Sequence, residues 1–264
     1  MEQKHLDFLN NALKYLGFGE NTLLNRELEE HIALGEQSFE LETEVSYDGV
    51  TRLSAQLFFS RSKNKLYDFY FFNKYKVQLH DPAKKGEKAA QKMFYIQESR
   101  LGVTLKQAYN LLQGRYVQRK IVDQNGETYL RWLFLEPKLE DTDGFAYLRQ
   151  IKQQFDLDKA LDIYPIPGLN SREIRERICS SLRRGNLHPV TIAHESGKSQ
   201  DLLLYANPIN GVISNIVVAT GARQKKGKGF EITELPELEH PSGDPIKEST
   251  LEEEPSKARK RAHL

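Results

Sequence analysis

Residues 116–136, YVQRKIVDQNGETYLRWLFLE, constrain the fold more than any other stretch of the chain. Two runs of β-favouring residues flank Asn125-Gly126, the pair that a tight type I′ turn prefers, so the segment reads as an antiparallel hairpin. A two-residue turn there would set the register. Gln124 then faces Glu127, Val122 faces Tyr129, Lys120 faces Arg131 and Arg119 faces Trp132. In that register Arg119 stacks on Trp132 as a cation–π pair. Lys120 and Arg131 become a like-charge pair, which destabilises a ladder unless something negative lies beside it.

The rest of the chain switches between helical and strand periods. Leu6, Leu9, Leu13 and Leu16 are spaced for one helix, and Leu24, Leu28 and Ile32 for a second that stops at Gly35. Phe39, Leu41, Thr43, Val45 and Tyr47 then alternate, Asp48-Gly49 turns, and Leu53, Ala55, Leu57 and Phe59 return. An aromatic strand follows, with Tyr67, Phe69, Phe71 and Tyr75 expected on one face and Tyr70, Phe72, Lys74 and Lys76 on the other. Residues 171–220 repeat the plan: the spacing from Ile174 to Gly185 equals that from Leu24 to Gly35, and three strands follow, with turns at Ser196-Gly197 and Pro208–Gly211. Between the copies, Thr104 and Gln107 make a capping-box pattern before a helix that stops at Gly114. The expected fold is α+β: a duplicated helix plus three-stranded antiparallel meander, flanking a middle helix–hairpin unit. The expected divisions are residues 1–80, 81–168, 169–221 and a disordered charged tail at 222–264, too poor in large apolar residues to offset ordering entropy.

Charge is unevenly distributed. Residues 1–50 carry a net charge of −8 and residues 51–120 a net charge of +11, although the whole chain is only +1. Such asymmetry marks either a polyanion-binding face or two segments that lie together and neutralise each other. The single cysteine, Cys179, rules out an internal disulfide framework and a Cys-rich zinc site. It stands on an apolar helix stripe and reads as a buried, inert thiol. His188 and His194 share a strand but have no companion at ligand spacing. Walker and Rossmann patterns are missing, and the carboxylates of EVSYD, EDTD and DLDK read as surface runs. No cofactor is expected. With no apolar run of membrane-spanning length and no secretory leader, the reading is a cytoplasmic protein without a membrane partner.

YFFNKYKVQL, GVTLKQAYNLLQGR, NGETYLRW, DLDKALDIYPI, and SLRRGNLHPVTI with YANPINGVI resemble, in that order, an uncharacterised family of Bacteroidota often encoded on conjugative or other mobile elements. The resemblance spans most of residues 1–220. It implies a cytoplasmic bacterial setting and supplies no catalytic residues. Tyr116 stands where a small residue is usual, and the segment between Glu136 and Phe155 diverges.

These features favour a non-enzymatic accessory binding protein. The leading expectation is nucleic-acid binding through a basic aromatic face built from Lys74, Lys76, Tyr116, Arg119, Lys120, Tyr129 and Arg131, because rings beside cations suit single strands. The rival is a protein-interaction module using the same aromatic surface or its sheet edges. In the second repeated helix, Glu173 and Arg177 have the favourable i,i+4 order, and Arg183 and Arg184 complement the negative helix end.

Overall fold

The structure, a computed structural model, describes residues 3–19, 22–64, 69–84, 86, 88–96, 102–122, 125–152, 154–193 and 199–218. Tyr67, His194, the Ser196-Gly197 turn and the tail at 222–264 lie outside the described residues. The fold is α+β, with all sheets antiparallel.

Helices α1 (Gln3–Leu16) and α2 (Thr22–Ala33) precede strands β1 (Ser38–Val45), β2 (Arg52–Arg61), β3 (Tyr70–His80) and β4 (Gln91–Tyr95), which form a meander in the order β1-β2-β3-β4. Helix α3 (Leu105–Leu112) leads into β5 (Val117–Val122), β6 (Thr128–Glu140) and β7 (Ala146–Ile151). Helices α4 (Leu157–Leu161) and α5 (Arg172–Arg183) lead into β8 (His188–Ala193), β9 (Ser199–Asn207) and β10 (Val212–Val217).

The helix-plus-meander plan therefore occurs three times. The two copies expected from spacing are present, the first with a fourth strand added to the expected three, and the middle unit is a third rather than a helix with a lone hairpin. The junctions match. After α2, α3 and α5, a glycine with positive φ follows two residues past the helix end: Gly35 (69°), Gly114 (74°) and Gly185 (78°). The next strand starts three residues later each time, at Ser38, Val117 and His188. Glycine takes this left-handed position at the helix C′ site without a Cβ penalty. The third strand of the middle sheet is hard to read from sequence because β7 is an edge strand with no fully buried residue, so it shows no apolar alternation. Likewise β4, read from sequence as part of the middle unit, pairs with β3 and closes the first sheet.

Strict alternation fails in β3. A bulge opposite Phe58 and Phe59 leaves Phe72 and Lys74 as their partners and Asn73 as the extra residue. One inserted residue reverses the phase of all that follows. Tyr70 and Phe72 on one side of the bulge, and Tyr75, Val77 and Leu79 on the other, thus enter the same core. Tyr75 joins Tyr70 and Phe72 rather than Phe71, which stays exposed.

The β6 strand divides its side chains between two cores. Leu133 and Leu135 pack with α1, α2, α3 and the first sheet, while Trp132 packs with α4, α5 and the third sheet. Helix α3 has the expected capping box: Gln107 N–H donates to Thr104 Oγ1 (3.3 Å), and Thr104 N–H donates to Gln107 Oε1 (3.1 Å).

Candidate nucleic-acid interface

The structure separates the seven residues expected to form one face. The β5–β6 ladder pairs Val122 with Thr128, one residue away from the register that a two-residue Asn125-Gly126 turn would set, and Gln124, expected opposite Glu127, lies outside the described residues. Gly126 still takes a positive φ of 85°. The resulting pairs are Ile121 with Tyr129, Lys120 with Leu130, Arg119 with Arg131 and Gln118 with Trp132. This one-residue slip moves every side chain to the other partner set. The cores decide it: they require Val117 and Leu133 on one face and Trp132 on the other, and this outweighs the turn preference of Asn-Gly.

Two sequence expectations are corrected as a result. Lys120 does not face Arg131; the two lie on opposite faces of the hairpin. Arg119 does not stack on Trp132, which is 2% exposed and packs on Phe155 instead. Arg119 turns inward, donating to Gln107 Oε1 at 2.9 Å and to the Gly102 carbonyl at 2.6 Å. Burial pushes its pKa down, against the pull of Tyr15 and Tyr75. It therefore ties β5 to the start of α3. Of the others, Tyr116 packs on Phe134 (ring centroids 5.4 Å apart) and Arg131 lies over the Tyr129 ring at 4.9 Å.

Lys74 and Lys76 remain together, on the face of the first sheet turned away from its core. The register lays out two rows across the four strands. One is Glu40, Phe58, Lys74, Tyr95, and the next is Glu42, Gln56, Lys76, Met93. Lys74 Nζ lies 5.2 Å from the Phe58 ring centre and 5.5 Å from that of Tyr95. Lys76 Nζ lies 5.9 Å from that of Phe145. Tyr95 is 41% exposed and its hydroxyl donates to Asp143 Oδ2 at 2.8 Å, so its ring is both held and accessible. Sequence reasoning missed Phe58 and Tyr95, since only the pairing of β2 and β4 with β3 places them beside Lys74.

The same rows locate part of the charge asymmetry. Glu40, Glu42 and Glu44 line β1, two strands from the lysines, or roughly 10 Å at the usual strand spacing. Glu40 accepts from Gln56 at 2.6 Å, and Glu44 pairs with Arg52 at 3.4 Å. One Debye length of about 8 Å screens most of what remains between the acids and the lysines. The basic character of this face therefore belongs to its β3–β4 half.

A second polar cluster docks α3 on the first sheet. Asp48 accepts from the backbone N–H of Val50 (2.9 Å) and Thr51 (2.7 Å), and from the hydroxyls of Thr51 and Tyr109 (both 2.8 Å). Burial would raise its pKa, but these donors hold it below the ordinary value. Asp48 is thus a structural acceptor rather than part of a surface run. Lys106 Nζ lies over the Tyr47 and Tyr109 rings at 4.1 and 4.5 Å. Burial first, then Arg115, push its pKa down to about 8 against the pull of Asp48. An unfolded lysine holds its proton to about 10.4, so stability should rise with pH between about 8 and 10.4. Lys106→Met is expected to flatten that rise by on the order of 1 kcal/mol. Urea unfolding of both proteins at pH 7.5 and 9.5 measures it, and equal pH slopes would refute it.

Among the described residues no group of three or more His, Cys, Asp and Glu could hold a metal ion. Cys179 is buried, and burial first, then Asp158, push its pKa up to about 12. No helix among the described residues is long and apolar enough to cross a membrane. Comparison with protein-family models, curated proteins and solved structures yields no match.

Proposed function

We propose that the protein is a non-enzymatic binding protein that engages single-stranded nucleic acid on the open face of its first sheet. The observation that carries this reading is the row Phe58, Lys74, Tyr95, in which a cation stands between two rings on a solvent-facing sheet. Bases stack on such rings whatever their sequence, while lysines neutralise the adjoining phosphates. The bacterial mobile-element setting implied by the sequence resemblance belongs to the same proposal.

The test is fluorescence anisotropy of labelled single-stranded DNA and RNA across a salt series. Lys74→Glu/Lys76→Glu is expected to flatten the log–log salt slope by about 1.4, at roughly 0.7 for each phosphate no longer neutralised. Tyr95→Ala is expected to weaken binding about tenfold, within the range for one stacked base. Protein lacking residues 222–264 should still bind. If Lys120→Glu/Arg131→Glu abolishes binding and the sheet variants do not, the interface is the hairpin and this assignment fails.

One observation favours protein binding as a second reading. The end of the β5–β6 hairpin exposes Val122 (38%), Tyr129 (40%) and Leu130 (58%), an apolar tip suited to a protein partner. Partner capture that is insensitive to salt and lost in Leu130→Glu would support it.

A further inference from the structure

Helix α5 carries a second cationic surface. Arg172, Arg177 and Arg184, with Ser180, Asn186 and His188, line an open groove of about 770 Å³. The i,i+4 order of Glu173 and Arg177 predicts an ion pair, but the two do not pair. Among the described residues, Arg172 and Arg177 make no ion pair at all. Their neighbours on the helix do: Arg175 lies 2.6 Å from Asp162, and Arg183 lies 3.3 Å from Asp158 and 3.0 Å from Glu176. Glu176, one of the two groove carboxylates, is thus already held by Arg183, which leaves Glu173 as the other.

The far end of the groove is fixed by a buried amide. Asn110 is fully buried, and its Nδ2 donates to the Arg184 carbonyl at 2.8 Å and to Asn186 Oδ1 at 2.9 Å. With its oxygen so used, Asn186 reaches Ser181 Oγ through Nδ2 at 3.5 Å. His188 starts β8 beside this point, half-buried, and burial together with the Arg177 guanidinium lowers its pKa. The other charged groups lining the groove with it are Arg172, Glu173, Glu176 and Arg184, while its strand partner on β9 is the apolar Leu204.

We propose that this groove binds a phosphate-bearing anion, either free phosphate or a phosphomonoester, through Arg177 and Arg184 with His188 as a further donor. A planar guanidinium offers paired N–H donors that match two oxygens of a phosphate. A dianion between Arg177 and His188 also reverses the local field, so binding should draw a proton onto the imidazole. The groove volume falls within the range of small-molecule sites and leaves room for the group that carries the phosphate. None of these residues belongs to the sheet face, so either proposal can fail without the other.

The experiment is NMR of the full-length chain, observing histidine and arginine side chains at constant ionic strength. Inorganic phosphate is the titrant in one arm, adenosine monophosphate in a second, and chloride at matched ionic strength in a third. The expected result is a saturable shift at Arg177 and His188, with the His188 titration midpoint moving upward when the site is filled. Arg177→Ala should weaken binding about tenfold and Arg177→Lys less, because lysine keeps the charge but not the fork. Tighter binding of the nucleotide would identify a phosphomonoester as the ligand, and equal affinity would identify the phosphate group alone. Lys74→Glu/Lys76→Glu should leave the response unchanged. A response that matches the chloride arm, or that persists undiminished in Arg177→Ala, would overturn the proposal.

Discussion

Gly185→Ala is expected to destabilise the protein by about 4 kcal/mol, whereas Gly114→Ala at the equivalent junction should cost only about 1 kcal/mol. Both glycines have positive φ, 78° and 74°, so both substitutions carry the same backbone penalty of roughly 1–2 kcal/mol. What separates them is space. A Cβ on Gly185 would lie 2.7 Å from the Tyr116 carbonyl oxygen, 2.9 Å from Val117 Cγ2 and 3.1 Å from Asn110 Cβ. A Cβ on Gly114 would meet nothing within 4 Å among the described residues. Relieving the clash means moving the α5–β8 junction away from α3 and β5. That motion breaks both bonds from the Asn110 amide, to Arg184 and Asn186, which flank Gly185 in sequence. Buried polar groups left without partners add about 1–3 kcal/mol. For a domain of this size the melting temperature should fall by roughly 10 °C for Gly185→Ala and by roughly 3 °C for Gly114→Ala. Calorimetry of the two variants decides the matter. Equal losses would mean that the close approach at Gly185 is not what holds the middle and third units together.

Asp141→Ala should cost about 3 kcal/mol, and more than Lys92→Met. Lys92 projects from β4 toward the core of the first sheet, with its side chain only 7% exposed. Its ammonium donates to Asp141 and, at 2.9 Å, to the Ala146 carbonyl. The turn between β6 and β7 is thereby fastened to β4, and Asp141 also accepts from the backbone N–H of Phe145 at 3.0 Å and of Asp143 at 3.1 Å. Removing Asp141 strands a buried positive charge. Removing the lysine charge leaves a carboxylate that still has backbone donors and some access to water, so Lys92→Met should cost about 1 kcal/mol, and the double variant should recover most of the loss. Urea denaturation of the three variants gives the comparison, and a Lys92→Met loss larger than that of Asp141→Ala would contradict it. Burial raises the Asp141 pKa, but the Lys92 and backbone hydrogen bonds outweigh it and hold the group below its ordinary value. Its contribution is therefore present above the unfolded pKa of about 3.9 and is lost as the pH falls through the lower folded value. Wild type should weaken more than Asp141→Ala below about pH 4.

Much of the local structure was legible in the sequence, because it depends on residues close together along the chain. The stripe of Ile178 and Leu182 enters the core, the Thr104–Gln107 capping box forms, and Gly35, Gly114 and Gly185 each end a helix. Strand β7 and the home of β4 were not legible. An exposed edge strand carries no apolar period, and a short strand does not announce which sheet it joins. Within the candidate interface, Lys74 and Lys76 could be placed on one strand, but their aromatic neighbours come from β2 and β4. The expected stack of Arg119 on Trp132 failed because register is a long-range property.

The sequence by itself thus determined the helix and strand periods, the junction glycines and the α+β class, since each of these is decided by side chains within a few residues of one another. Tertiary structure alone decided the β3 bulge, the slip of the β5–β6 hairpin and the division of Trp132 and Leu133 between two cores. The physical reason is that burying large apolar side chains is worth about 1.5–3 kcal/mol each, more than a turn preference, so the cores choose the register and the register chooses which charges and rings meet.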